Sequence, residues 1–299
     1  MNWLLPAFAA PALYTPLTFV DKFIVSKVIK DYRGMPMYGA IMGLVVGTLF
    51  WFITGFPYLP PKDALIVIAT GCLTIWSAYF YFWAVTFEEA STLTLLFQMS
   101  PIITLVFAFL FLGERISLLQ LIGFVLILSS VVGVSIDRPA LKISLSPALL
   151  LVLVVDAMWA AAAVLIKAAI DANSFAKILS YESWGLGLGG MVLYALFRGI
   201  RDAFNASIGT IRRRFLAVMF LNEGVFVLAK SITYYAYSIG SASLVSVVGS
   251  TSVFFGILYG VVLTLLIPTY IKEDISRRNL VRKGIAALVL FVGVWFVYE

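Results

Sequence analysis

Long apolar runs, each cut off by a few charged or turn-forming residues, follow one another along the whole chain. A helix needs roughly 20 predominantly apolar residues to cross the hydrocarbon core of a bilayer. Ten runs approach or exceed that length, at 4–26, 35–56, 64–86, 90–112, 117–136, 147–170, 176–197, 214–237, 242–267 and 280–298. Most connections between them are short, which predicts antiparallel neighbours. The longest polar links run from Arg198 to Arg214 and from Thr269 to Asn279. Pro6, Pro11 and Pro16 recur through the first run and are expected to kink or weaken it, because each removes a backbone donor. Gly185, Gly187, Gly189 and Gly190 in the seventh run, and Gly256 with Gly260 in the ninth, predict close helix–helix approach.

Composition narrows the class. The chain has 299 residues, 62% hydrophobic and 12% charged, against about a quarter charged in soluble domains. This is the profile of a polytopic membrane protein without a soluble domain. One cysteine, Cys72, and no histidine remove disulfide frameworks, thiolate metal sites and Ser-His-Asp or Cys-His nucleophile sets. No spacing of carboxylates suggests a metal site, so neither metal nor cofactor is expected. The N-terminal MNWLLPAF has no basic stretch ahead of its apolar run, so a membrane helix is expected there rather than a cleaved signal. The net charge of +6 is spread over loops between apolar spans, which suits anionic lipid rather than nucleic acid. The expected partners are a small-molecule substrate and the lipid bilayer, with the chain a monomer or homodimer.

Comparing the chain with itself brings out a repeat. Pro11–Lys22 lies over Asp156–Lys167, pairing Tyr14 with Trp159 and Lys22 with Lys167. Ala84–Ser91 lies over Ala236–Ser243, and Gly113–Ser117 over Lys272–Ser276. Three matches in the same order predict two units of five helices, 1–138 and 139–299. Five is odd, so the second unit is inverted relative to the first, a recurring plan of secondary transporters with the substrate near the midplane. The fold expected is an all-α integral membrane protein of ten transmembrane helices in two inverted five-helix repeats.

Within PIITLVFAFLFLGERISLLQLIG a charge pair, Glu114 and Arg115, interrupts an apolar stretch. Gly113 is expected to end one helix and Ser117 to N-cap the next, which makes the pair a tight turn. The block S-P-x(11)-G-E-R-I-S-x(5)-G, from Ser100 to Gly123, resembles the drug/metabolite transporter superfamily, EamA-like branch. Pro101, Gly113, Glu114 and Gly123 carry that resemblance and are expected to be structural. In the second unit Val253 stands roughly where the proline would be, and Glu273 and Asp274 echo the charge pair. The resemblance implies a ten-helix secondary carrier for small metabolites or drugs, without ATP and with both termini cytoplasmic. The charge bias implies the reverse. Of 21 Lys and Arg, fifteen fall in loops 1–2, 5–6, 7–8 and 9–10 with their flanks. Only Lys62, Arg115 and Lys177 fall on the other side, which by the positive-inside rule places both termini outside.

Ionisable groups at membrane depth are costly and mark candidate function. Asp156 and Lys167 share one face of the sixth span with Ala160 and Ala163, and Pro11, Tyr14, Thr18 and Lys22 form the matching face of the first. Glu223, Phe226, Lys230, Tyr234 and Tyr237 form a stripe on the eighth span, and Glu182 sits early in the seventh. Glu223, Asp156 and Glu182 are the candidate coupling carboxylates. Trp76, Phe80 and Trp83 make an aromatic stripe on the third span, and Gln98 precedes the break at Pro101. With Trp159, these residues are the candidate substrate cavity. The alternative for the charged pairs is that they hold helices together, and for Lys22 and Lys167 that they snorkel to the interface.

The expected function is a secondary active transporter, exporter or exchanger, in the plasma or inner cell membrane. It would move small polar metabolites, amino-acid-like compounds or drugs by alternating access. A non-transporting receptor or scaffold on a carrier fold is the alternative from another class. An intramembrane enzyme is a further one, disfavoured because no nucleophile–base set is in view.

Overall fold

The structure is a computed structural model and describes residues 3–87, 93, 96–135, 147–266 and 277–299. Every regular element among them is helical: α1 (Leu4–Phe23), α2 (Pro36–Ile53), α3 (Pro61–Phe87), α4 (Ser100–Phe107), α5 (Leu118–Ser135), α6 (Pro147–Ala172), α7 (Phe175–Leu196), α8 (Arg198–Thr210), α9 (Arg213–Ile239), α10 (Ala242–Gly249), α11 (Ser252–Leu266) and α12 (Arg277–Tyr298). Among the described residues, five helical segments are long and apolar enough to cross a membrane: 32–53, Pro61–Phe87, Pro147–Ala172, Arg213–Ile239 and Ala242–Gly260. Large apolar side chains such as Leu5, Ile53, Phe111, Leu118 and Leu288 are exposed on the outside. A surface of this kind is stable against lipid tails and not against water.

The main helix contacts join the first part of the chain to the second. The strongest pairings are α3 with α7, α5 with α12, α2 with α7, α3 with α6 and α1 with α9. Glycine makes the tightest of these possible. Gly123 of α5 lies so close to the Gly293 carbonyl of α12 that an added Cβ would sit 2.6 Å from it.

The prolines of α1 weaken it less than the sequence implies. Pro11 and Pro16 both lie inside a continuous helix. Proline at position 16 cannot donate to the Ala12 carbonyl, and the Tyr259 hydroxyl of α11 donates to that oxygen instead at 2.9 Å. Thr15 donates to Pro11 O at 2.7 Å. The carbonyl freed by Pro16 is thus satisfied by a side chain, a known route for proline in membrane helices. After Phe23 the helix continues as one π turn, Ile24–Val28.

Two elements depart from the expected spans. The Arg198 to Arg214 link holds an amphipathic helix, α8, with Ile200, Ala203, Phe204 and Ser207 buried. It packs on the Tyr32–Gly34 turn, where Tyr38 and Ser207 share a hydrogen bond of 2.7 Å. Its four inward positions follow i, i+3, i+4 and i+7 spacing, but they are too few and too surrounded by charge to stand out as a run. The ninth span, expected as one helix over 242–267, is broken into α10 and α11 around Ser250 and Thr251.

Gly113 takes a left-handed conformation, φ 66°, at the end of a π turn, Ala108–Leu112. Ser117 and Gln120 then form a reciprocal cap. The Gln120 N–H donates to Ser117 Oγ at 3.1 Å, and the Ser117 N–H donates to Gln120 Oε1 at 3.0 Å, a capping box. Glu114 reaches across to the second half of the chain, where its carboxylate accepts from Ala242 N at 2.7 Å, from Ser243 N at 3.1 Å and from Ser243 Oγ. A carboxylate at a helix N-terminus answers both the unpaired N–H groups and the helix dipole. Replacing it by alanine is expected to cost about 2 kcal/mol, a cap plus a charge-assisted bond. Thermal unfolding of purified Glu114→Ala tests this; an unshifted transition would show that the cap contributes nothing. The echo at Glu273 and Asp274 lies outside the described residues.

Candidate functional site

A cavity of about 320 Å³ lies between the two halves, walled by α1, α3, α4, α6, α9 and the α10–α11 break. Both interrupted stretches face it. On one side are Gln98, on the short turn Phe97–Met99, and Ser100 with Pro101 at the start of α4; on the other are Gly249, Ser250 and Ser252. Pro101 occupies the first turn of α4, where a missing N–H carries no penalty.

Along α9, a single stripe presents Asn222, Glu223, Phe226, Lys230, Thr233, Tyr234 and Tyr237 to the cavity. From Glu223 to Tyr237 this stripe runs roughly 20 Å at 1.5 Å per residue. Lys230 Nζ donates to Glu182 Oε2 at 2.5 Å, and the Tyr234 hydroxyl donates to Glu182 Oε1 at 3.2 Å. Glu182 is 0% exposed and forms part of the supporting wall behind the lysine. One turn or two nearer the start of α9, Asp21 of α1 accepts from Asn222 Nδ2 at 2.8 Å and from the Tyr81 hydroxyl at 2.8 Å. Glu223 lines the cavity beside them.

Rings complete the wall. Phe97 and Trp159 lie 5.0 Å apart, Tyr81 and Phe97 5.8 Å, and Tyr14 and Phe226 5.7 Å. Trp159 is held by a 2.9 Å bond from its Nε1 to Ser77 Oγ. That polar tip fixes the ring while its face stays available to a ligand.

Of the residues singled out in the sequence, Tyr14, Gln98, Pro101, Trp159, Glu223, Lys230 and Tyr234 come together on this cavity. Others lie elsewhere. Trp76 faces outward, its Nε1 donating to Gly189 O at 3.1 Å. Phe80 packs beside Tyr79 at 5.6 Å, and Trp83 stacks with Tyr32 at 6.5 Å. The opposite face of α3, with Thr74, Ser77 and Tyr81, lines the cavity instead. Lys22 donates to Val85 O at 2.8 Å, and Lys167 to Tyr237 O at 2.9 Å and Asp171 at 2.8 Å. Asp156 is 0% exposed, off the cavity, and neither carboxylate oxygen has a partner among the described residues. Asp21, Asn222 and Tyr81, outside the candidate set read from the sequence, also line the cavity. Asp21 continues the spacing of Tyr14 and Thr18 as well as Lys22 does, and that spacing was the signal available for finding it.

An all-helical body with an apolar outside and a charged, ring-lined cavity within it has the architecture of a membrane protein with an internal cavity. The sequence model of the EamA-like transporter family matches residues 7–136. A solved structure described as "Crystal structure of protein" aligns over 99% of this chain and 98% of its own, at 14% identity and a TM-score of 0.69, which shows a shared fold. Among curated proteins, none matches the chain in sequence. Over residues 7–136 the chain is thus similar to the EamA-like transporter family, and the solved structure extends the likeness in fold to the rest of the chain.

Proposed function

We propose that the protein is a secondary active carrier, an exporter or exchanger of small polar metabolites, amino-acid-like compounds or drugs. In this reading ten membrane-crossing segments form two inverted five-helix repeats, 1–138 and 139–299, that rock about the cavity in the plasma or inner cell membrane. The observation that carries it is the cavity between the halves, met by an interrupted helix from each and holding ionisable groups. This is the usual composition of a carrier's substrate site. The helix contacts support the repeat, because exchanging the two units maps several of the main pairings onto one another. Packing of α3 on α6 becomes α9 on α1, packing of α4 on α6 becomes α10 and α11 on α1, and α2–α7 and α5–α12 map onto themselves.

Reconstitution into liposomes tests the reading. A panel of radiolabelled amines, amino acids and small drugs is expected to include a solute that moves in the presence of the protein. Glu223→Gln is expected to change that flux by about tenfold, the scale of one charged hydrogen bond. Binding without flux across the panel would favour the receptor or scaffold reading, and neither binding nor flux would remove the carrier reading.

A further inference from the structure

Hydrogen-bond donors and acceptors at the Asp21 end of the cavity do not balance. Three donors are engaged: Asn222 Nδ2 and the Tyr81 hydroxyl by Asp21, and Trp159 Nε1 by Ser77. Acceptors are left over. Glu223 is 8% exposed and has no hydrogen bond or ion pair among the described residues, and Asn222 Oδ1 is buried without a partner. Lys230 does not offset these groups, because Glu182 already neutralises it. Asp21 and Glu223 are close enough to interact electrostatically. Among the described residues the cavity therefore carries two carboxylates without a counter-cation, and a carboxylate held this way is stable only with a cation or proton beside it.

We propose that Asp21, Asn222 and Glu223 form the binding site for the ammonium group of an organic amine whose apolar or aromatic body stacks among Tyr81, Phe97 and Trp159. The proposal rests on the carrier reading and narrows its substrate class. A bare inorganic ion would satisfy the oxygens but leave most of the 320 Å³ empty, whereas a cation with a ring fills it and gains cation–π contact. Among the described residues, no group of three or more His, Cys, Asp or Glu is placed to hold a metal. An α-amino acid fits poorly. Its two charges are joined through one carbon, while Glu223 and Lys230 stand seven residues apart on α9, roughly 10 Å along the helix. Its carboxylate would thus fall beside Asp21 and Glu223 with only acceptors to meet it.

Four probes sharing a phenyl ring separate the charge types: phenethylammonium, phenylalanine, phenethyl alcohol and 3-phenylpropionate. Isothermal titration of the purified full-length protein in detergent is expected to show phenethylammonium bound at least tenfold more tightly than the others. Glu223→Gln and Asp21→Asn are each expected to lose about tenfold of that affinity. Asp171→Asn, which removes an exposed carboxylate that does not line the cavity, is expected to leave it unchanged. Gel filtration and thermal unfolding of each variant separate a lost site from a lost fold, and the wild-type ranking of the four probes needs no variant at all.

Failure to bind phenethylammonium, equal or tighter binding of phenylalanine or 3-phenylpropionate, or full affinity in both carboxylate variants overturns the proposal. So does a sodium-induced rise in melting temperature with none from phenethylammonium. Flux in proteoliposomes is read separately. Transport of an anion or zwitterion without amine binding refutes the amine class and leaves a carrier. Amine binding that depends on both carboxylates, with no flux of any probe, keeps the site and refutes the carrier.

Discussion

Replacing Lys230 by methionine is expected to destabilise the protein by about 3–5 kcal/mol, the usual cost of breaking a buried ion pair from one side. The lysine and Glu182 side chains are 4% and 0% exposed, so no water takes over when the ammonium is removed. Tyr234 remains as a donor to Glu182, but a phenol cannot balance a full charge. The cost comes from the carboxylate left behind, not from the pair itself. Glu182→Gln combined with Lys230→Met is therefore expected to recover most of the loss, because a neutral amide with the Tyr234 hydroxyl replaces the ions. A double-mutant cycle of SDS or thermal unfolding measures this. A single Lys230→Met variant as stable as the wild type, with no coupling to position 182, would show that the pair is not closed in the resting protein. Lys230 also lines the cavity, so the stable double variant serves a second purpose, since any transport it loses cannot be assigned to unfolding.

How far the sequence anticipates this arrangement depends on the kind of signal. Apolar run length exposes helices such as α3, α6 and α9, because a lipid-facing helix has no polar face to confuse the count. The Glu114 turn is legible because Gly113 and the Ser117–Gln120 pair act locally. Glu114 itself is legible only as a turn marker; its bonds to Ala242 and Ser243 span 128 and 129 residues of sequence. The break at Ser250 and Thr251 carries no proline and so leaves no local mark. Helix rotation is the hardest part. Near the end of α1, Asp21 and Lys22 differ by one 100° step, and either fits the stripe that starts at Tyr14. Packing selects Asp21 for the cavity and leaves Lys22 on the Val85 carbonyl. Asp156 lies within about 20° of Ala163 around α6 but two turns away along it, so position along the helix rather than rotation separates it from the part that lines the cavity, Trp159, Ala162 and Ala163. On α3 the rings drew attention to Trp76, Phe80 and Trp83, while the smaller and more polar face turned inward.

Gly71→Leu is expected to be at least as damaging as breaking the ion pair, and it reaches the cavity by another route. Gly71 of α3 and Gly185 of α7 face each other with no side chain between them. A Cβ at position 71 would lie 2.7 Å from Gly185 Cα and closer still to the Glu182 carbonyl oxygen. Those neighbours are backbone, so no rotamer change makes room and the helices must separate. Overpacking a close contact costs typically 1–3 kcal/mol for small additions, and an isobutyl group forced against backbone is expected to exceed about 3 kcal/mol on the same scale. Gly71→Ala should fall within the 1–3 kcal/mol range, giving a graded series. The contact also sets the position of Glu182, whose carbonyl is the atom struck and whose side chain holds Lys230. In Gly71→Ala the thermal transition is therefore expected to fall together with the coupling energy between positions 182 and 230. Loss of stability with that coupling intact would place the damage in the α3–α7 crossing alone. An unshifted transition in Gly71→Leu would mean that the two helices do not approach this closely.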